Sequence, residues 1–198
     1  SRKRRFLHGE WSDDREGALW TAEMLARARE TRAPEELARI VVGVDPAVTS
    51  HGGSDHTGIV AAGVDRAGVM HVLRDASCRR PPLEWAAAVA KLYRELDADL
   101  VVGEVNNGGD LIESLLRQLA PEINYRPVRA ARGKLLRAEP VAALYARDLV
   151  RHAGDFPELE EEMLNYTSAD CADSPDRLDA LVWALSELAR PVGGCITV

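Results

Sequence analysis

The sequence predicts an α/β domain in which helices flank a mixed β-sheet. Three observations carry this prediction. A near-continuous apolar run closes on a single acid in "RIVVGVD", two further β-rich runs follow at hairpin spacing, and apolar strands then alternate with amphipathic helical segments from residue 81 onward. A strand meander followed by alternating strands and helices is typical of a mixed sheet covered by helices.

The meander occupies residues 39–76. Residues 40–44 are almost continuously apolar, as expected of a strand that is covered on both faces. Residues 57–64 and 69–76 are two further predicted strands. The segment "DRAG" at 65–68 has turn chemistry, so these two strands are expected to pair as a hairpin.

Strands and helices alternate after the meander. Pro81 and Pro82 open an amphipathic helix that reaches about residue 96, because proline is tolerated in the first turn of a helix. Pro127 favours an edge position for its short strand, since proline has no N–H to donate. The elements expected after the first helix are strands at 98–105 and 124–130 and helices at 110–119, 134–150, 156–166 and 175–188. The resulting order, β-β-β-α-β-α-β-α-α-α, is the one found in ribonuclease H-like folds, although a fold alone does not fix a function.

The composition is ordinary for a globular domain and excludes several classes of protein. Of 198 residues, 46% are hydrophobic, yet no apolar run approaches the roughly 18 residues that a membrane span needs. The three cysteines are far apart, which indicates neither a disulfide framework nor a zinc site and suits a reducing cytosol. The formal net charge of -7 argues against binding nucleic acid through bulk basicity. It leaves room for a metal-dependent nuclease, whose active site is itself a cluster of acids.

The chain divides into three parts by its pattern. Residues 1–38 carry two tryptophans, a charged turn and the linker-like segment "TRAPEEL", and we interpret them as a remnant that follows a missing upstream domain. Residues 39–190 form the predicted α/β domain. Residues 191–198 form a C-terminal tail.

Four acids stand where a packed fold does not need them. Asp45 ends the first strand, Glu104 ends the strand at 98–105, and Asp176 and Asp179 lie one turn apart near the start of the last helix. If the first and fourth strands are neighbours, their acids emerge at one edge of the sheet, where a helix end could bring an aspartate to join them. Crowded carboxylates repel one another unless cations hold them, and Mg²⁺ or Mn²⁺ are the natural occupants. Two such ions about 3.5–4 Å apart can activate water and stabilise the leaving oxygen of a phosphodiester.

Each acid taken singly has a plainer interpretation. Asp45 could cap a turn, Glu104 could pair with an arginine, and Asp176 could stabilise a helix N-terminus through the helix dipole. Asp179 is also compatible with the polar border of its helix. The joint placement of these acids, after the right strands and on the right helix, favours the metal site.

A basic segment lies between apolar segments at 126–137. Lys134 is the candidate for contact with the scissile phosphate, because an all-acid site needs a nearby cation to admit a polyanion. It is equally consistent with the sequence that the bases of this segment lie on the surface and only aid solubility. Asp55, in the loop before the second strand, could be a further metal ligand or a residue on the nucleic-acid side, although loop-turn chemistry explains it sufficiently. His56 beside it could bind a phosphate or shuttle a proton, although a lone histidine in a loop usually does neither. The predicted DNA-contacting residues are Arg129, Arg132, Lys134 and Arg137.

These motifs resemble the nuclease domain of the large terminase subunit of tailed bacteriophages, over nearly the whole chain. "FLHGEW" with "GALW" resembles the segment that leaves the ATPase domain of the packaging motor. "VGVDPAVTSHGGSDHTGIVAAGVD" resembles the first hairpin of that family, and "VVGEVNNGGD" resembles its second acidic strand. "RGKLLRAEPVAALYARDLVRHAGDFPELEEEMLNYT" and "SPDRLDALVWALSEL" resemble its C-terminal half.

The resemblance implies a ribonuclease H-like endonuclease that cuts concatemeric double-stranded viral DNA with two Mg²⁺ or Mn²⁺ ions during genome packaging. By motif match, Asp45, Glu104 and Asp176 would be the metal-binding acids, with Asp179 as an accessory or alternative. The implied partners are DNA, the ATPase domain of the same polypeptide, the small terminase subunit and the portal, with no membrane. The implied location is the viral procapsid in the host cytoplasm. Because the family's P-loop ATPase domain is missing, the chain is expected to be an excised or processed part.

Three other interpretations stay open. A Holliday-junction resolvase would use the same acids in the same fold, but it has no place for the "GEW…GALW" lead-in. An actin-like sugar kinase or ATPase would use "DPA…DHTG" as a phosphate loop, but no second Gly-rich phosphate motif is evident. A metal-free docking module of the packaging motor would not need Asp45.

Overall fold

The computed structural model describes residues 17–46, 56–105, 111–129, 133–167 and 175–190, and these residues form one mixed sheet flanked by helices. Its helices are α1 (Ala22–Ala28), α2 (Pro82–Glu95), α3 (Leu111–Leu119), α4 (Lys134–Ala146), α5 (Pro157–Asn165) and α6 (Asp176–Leu188). Its strands are β1 (Arg29–Glu30), β2 (Arg39–Pro46), β3 (His56–Val64), β4 (Met70–Asp75), β5 (Cys78–Arg79), β6 (Leu100–Glu104), β7 (Tyr125–Val128) and β8 (Val150–Ala153). None of the helices in these ranges combines the length and the apolarity that crossing a bilayer requires.

The strand order is β1-β8-β4-β3-β2-β6-β7, with β5 paired to the start of β3. β3 is antiparallel to its neighbours, whereas the other pairs are parallel. This confirms the predicted mixed sheet and its hairpin, in which Asp65 Oδ1 accepts hydrogen bonds from the N–H groups of Ala67 and Val69. The expected edge position of Pro127 is also confirmed, because β7 ends the sheet.

Three strands, β1, β5 and β8, and one helix end differ from the prediction. The helix predicted to reach residue 150 ends at Ala146, and β8 then inserts between β1 and β4. Asp148 has a φ of 56°, in the left-handed region, which stops the helix. In β8 the buried residues Val150 and His152 alternate with less buried ones, as in a strand. Val150 is also apolar at the spacing expected if the helix continued. The sequence therefore does not show where the helical repeat gives way to the two-residue repeat of a strand.

Helices cover both faces of the sheet. α2 and α3 cover one face, where they pack on Val42 and Val44. The other four helices share the opposite face, whose core includes Val41 and Val60. This division follows the alternation of side chains along each strand. α6 is buried at nearly every position and forms the centre of the second layer.

α6 packs closely on the sheet because two strand positions that face it are glycines. A Cβ atom at Gly43 would lie 2.0 Å from the carbonyl oxygen of Ala180, and one at Gly58 would lie 1.8 Å from the carbonyl oxygen of Asp176. Both distances are far below van der Waals contact, so a larger residue fits only if the helix moves. Gly58 pairs with Asp45 across β2 and β3, which places the start of α6 beside the end of β2.

Residues 17–30 pack into the same unit as the sheet. Trp20 is fully buried, and β1 pairs with β8. Glu160 of α5 connects these parts, because its carboxylate accepts a 2.6 Å hydrogen bond from Arg29 and lies 3.0 Å from His152 Nδ1. The domain boundaries inferred from the sequence stay a prediction.

Glu160 is expected to make the folded state sensitive to acid. Burial by itself would raise the pKa of Glu160, but the hydrogen bonds from His152 and Arg29 outweigh burial and lower this pKa from its ordinary value of 4.5. The unfolded chain then binds more protons, so this contribution to stability is present above about pH 4.5 and is lost as pH falls through the folded-state pKa. Urea unfolding at several pH values between about 3 and 6 should therefore show a shallower acid loss in Glu160→Gln than in the wild type. Parallel pH profiles for the two proteins would contradict this role of Glu160.

Candidate active site

Asp45 and Glu104 end two neighbouring parallel strands on the face that α6 covers. β2 and β6 pair with Val44 opposite Gly103, so the next residue of each strand comes at the same edge of the sheet. Asp45 follows Gly43 by two positions and therefore lies on the same face, towards α6. Asp45 is only 8% exposed, and Glu104 is half-buried. The structure thus brings these two predicted acids together.

The other two predicted acids open α6. Asp176 and Asp179 lie in the first turn of the helix and are buried, each with 6% exposure. The main chain of Asp176 packs on Gly58, which pairs with Asp45. Asp176 therefore joins Asp45 and Glu104 at one edge of the sheet, and Asp179 follows one turn along the helix. Burying ionised acids is unfavourable unless they have partners or bind a cation.

The start of α6 is fixed by residues that the sequence did not single out. Glu162 of α5 accepts a 3.0 Å hydrogen bond from the N–H of Leu178 and so replaces the side-chain cap that Pro175 cannot supply. Arg177 contacts Glu162 at 3.3 Å and Asp75, at the end of β4, at 3.0 Å. Burial raises the pKa of Glu162, against the opposing effects of the Leu178 N–H and of Arg177. No local signal marks Glu162, because it lies in a run of acids that is typical of a solvated face.

Glu104 forms an ion pair with Arg137. Nη1 of Arg137 lies 3.1 Å from Oε2 of Glu104, and the two side chains are 12% and 19% exposed. The guanidinium carbon of Arg137 lies 4.5 Å from the centre of the Trp183 ring, a cation–π contact with α6. The sequence left Glu104 with two interpretations, a metal ligand or the partner of an arginine. The structure shows the pairing with an arginine. Arg137 accordingly lies at the acid site and not on the outer surface.

His56 contacts Asp176. It opens β3 two positions before Gly58 and therefore faces α6, and its Nδ1 atom lies 3.2 Å from Asp176 Oδ2. Burial is the largest cause that lowers the pKa of His56 from 6.5; Arg177 lowers this pKa further, while Asp176 opposes the change. No pattern in the sequence indicates a contact between residues 120 positions apart.

The donor atoms at this edge fit a hard divalent cation. Asp45, Glu104, Asp176 and Asp179 all offer carboxylate oxygens, the ligands that Mg²⁺ and Mn²⁺ prefer. Across the described ranges, however, no three His, Cys, Asp or Glu side chains form a group arranged to hold a metal ion. Glu104 is engaged by Arg137, so a shared ion would require this ion pair to open.

Two of the four bases predicted to contact DNA can be located in full. Arg137 lies at Glu104, and Arg129 is exposed directly after β7. For Lys134 the structure gives only the backbone, which opens α4. The roles predicted for these bases stay predictions. Outside the described residues lie Arg132, the Lys134 side chain and the loop acid Asp55.

Comparison with known proteins identifies one family and several structures of similar fold. Residues 42–188 match the family model described as the terminase RNaseH-like domain. No curated protein matches the chain significantly. The large terminase nuclease from thermophilic phage G20c superposes with a TM-score of 0.64 at 15% identity, covering 87% of this chain and 99% of that one. The P22 large terminase nuclease domain superposes with a TM-score of 0.63 at 12% identity, covering 84% of this chain and 91% of that one.

Two further findings concern the length of a similar terminase and the metal ions bound to a similar nuclease. The large terminase from a second thermophilic bacteriophage superposes with a TM-score of 0.62 at 16% identity, over 85% of this chain but 44% of that one. The chain therefore spans less than half the length of that larger terminase. The G20c nuclease has also been solved with bound zinc, cobalt and magnesium. At these identities the likeness shows the fold.

Proposed function

The chain belongs to the terminase RNaseH-like domain family, and on this premise we propose that it is a metal-dependent endonuclease that cuts concatemeric double-stranded viral DNA during genome packaging. One observation carries the proposal: Asp45, Glu104 and Asp176 share one edge of the sheet beneath the start of α6. Several carboxylate oxygens at one edge of a sheet are the kind of ligand set that a hard divalent cation needs, so this collection favours a function that uses such an ion.

In this proposal Asp45, Glu104 and Asp176 bind two Mg²⁺ or Mn²⁺ ions, and Asp179 is an accessory ligand. When bound, these ions would supply activation of a water and stabilisation of the leaving oxygen of a phosphodiester. The chain itself supplies the arrangement of the ligands. Parallel pairing of β2 and β6 fixes two of them at one level of the sheet, and Gly58 lets Asp176 approach them. The packed elements thus bring the backbones of these residues to one region, while Glu104 must leave Arg137 before it can serve as a ligand.

Arg137 has a second role in this proposal. If Glu104 held an ion, the guanidinium of Arg137 would still be placed beside the site by its packing on Trp183, with several donors suited to phosphate oxygens. The remaining proposed phosphate contacts are Arg129, Arg132 and Lys134. Since the whole chain carries a net charge of -7, we expect weak, sequence-independent DNA binding that depends mainly on this basic segment.

We also propose that this domain works as part of a packaging motor. The larger terminase from the second thermophilic bacteriophage supports this idea, because it is more than twice as long as its matched part and has been solved in complex with ATP-gamma-S. The proposed partners are an ATPase domain in the same polypeptide, the small terminase subunit and the portal. The proposed place of action is the viral procapsid in the host cytoplasm.

Cleavage of supercoiled and linear plasmid DNA is expected to require a divalent metal. Agarose gels should show nicked and cut products with Mg²⁺ or Mn²⁺ and intact DNA with EDTA, because the acids alone repel a polyanion and activate no water. Excess Mn²⁺ added after EDTA should restore cleavage, which distinguishes loss of metal from damage to the protein. Intact DNA under every condition, with folded protein at high concentration, would contradict the proposal and favour a docking module of the motor.

A further inference from the structure

His56 is joined to the proposed metal site by a contact that ties β3 to α6. Its Nδ1 atom lies 3.2 Å from Asp176 Oδ2, and its side chain is 16% exposed while that of Asp176 is 8% exposed. The contact lies where the main chain of Asp176 packs on Gly58, two positions along the same strand. His56 is therefore held close to Asp176 by the backbone and does not reach it as a flexible surface side chain.

The direction of the hydrogen bond follows from the chemistry of the two groups. A carboxylate can only accept, so the proton of this bond lies on Nδ1 of His56. The other ring nitrogen, Nε2, is buried and has no hydrogen-bond partner among the described residues. Burying a polar atom in this way lowers stability. Folding alone therefore gives little reason for an imidazole at this position.

We propose that His56 is a positioning residue: its Nδ1–H fixes the rotation of the Asp176 carboxylate so that this group is oriented for a divalent cation before the ion binds. The inference rests on the proposed function, in which Asp176 is a metal ligand. Carboxylate ligands are commonly hydrogen-bonded by outer partners, and removal of such a partner typically weakens metal binding about 10- to 100-fold. Arg177, the next residue along α6, forms its ion pairs with Asp75 and Glu162.

The test measures Mn²⁺ affinity by titration calorimetry at one pH for the wild type, His56→Ala, His56→Asn and His56→Gln. Asparagine places its amide N–H where Nδ1 stands, whereas the amide of glutamine reaches the position of Nε2. We expect His56→Ala and His56→Gln to bind Mn²⁺ about 10- to 100-fold more weakly, and His56→Asn to bind it nearly as tightly as the wild type. Thermal unfolding of each variant reports its stability separately from its affinity.

Comparison of the His56 variants with one another and with the wild type decides the role of Nδ1. Equal Mn²⁺ affinity of His56→Asn and His56→Gln would overturn the role of Nδ1, and this comparison stands even if His56→Ala does not fold. Wild-type affinity in His56→Ala would overturn it as well. If Asp45→Asn loses Mn²⁺ binding while all three His56 variants keep it, the inference fails and the proposed function stands. A wild-type protein that binds no Mn²⁺ would overturn both.

Discussion

Replacing Asp45 with asparagine is expected to lower the rate of DNA cleavage about 1,000-fold, equivalent to about 4 kcal/mol of transition-state stabilisation. Asparagine keeps the size of the side chain but removes the charge that binds a divalent ion, and such ions supply several kcal/mol to phosphoryl chemistry. Asp45 has a central position, because it pairs with Gly58 beneath α6 on one side and adjoins the strand of Glu104 on the other. Single-turnover cleavage with saturating protein and Mn²⁺ measures the effect.

Asp97→Asn is the matched control for this experiment. It makes the same chemical change at an exposed aspartate after α2, at the opposite end of β6 from Glu104. Asparagine also tolerates the left-handed φ of 49° at this position. Cleavage by Asp97→Asn should equal that of the wild type. Cleavage by folded Asp45→Asn at the wild-type rate would contradict the assignment of Asp45 as a metal ligand.

The substitution Gly58→Ala is expected to destabilise the fold by about 3 kcal/mol or more, because overpacking against a backbone atom forces the helix to shift. The added Cβ would lie 1.8 Å from the carbonyl oxygen of Asp176, which belongs to the main chain and cannot rotate away. For a chain of 198 residues this loss corresponds to a fall in Tm of about 6–12 °C. Calorimetry or circular dichroism measures the transition.

Gly133→Ala tests whether the effect comes from the close approach and not from the loss of a glycine. A Cβ at Gly133 would have no neighbour within 4 Å, and its φ of -58° suits any residue. Since Gly133 precedes α4, the change should cost at most about 1 kcal/mol through weaker capping. Equal Tm values for the two variants would contradict the close packing of α6 on β3.

The positions of Asp45 and Glu104 could be predicted because they depend on local pattern and simple topology. Each acid ends a short apolar run, and two such strands in parallel bring their carboxyl ends to one edge. β8 could not be predicted in the same way. Val150 suits either the helix before it or a strand, and only the packing of His152 against Tyr145 and Glu160 decides between them.

The contacts around the acids could not be predicted from pattern, because they join distant parts of the chain. His56 is joined to Asp176, Glu162 to Leu178, and Arg137 to Glu104 by single side-chain contacts that leave no periodic trace. Close approach is equally hidden. A glycine in a strand indicates a bulge, a bend or a neighbouring backbone, and sequence alone does not distinguish these possibilities at Gly58.

The order in which the site residues occur along the chain has a consequence for its synthesis. Asp45 and Glu104 lie on strands that are translated early, whereas Asp176 comes on the last described helix, which fills the centre of one layer. At about 5–20 residues per second, the ribosome reaches α6 several seconds after it completes β6. Asp176 of a nascent chain therefore cannot join Asp45 and Glu104 until α6 leaves the ribosome and docks. The proposed metal site is thus assembled last, and a chain that stops before α6 carries the sheet strands without the complete site.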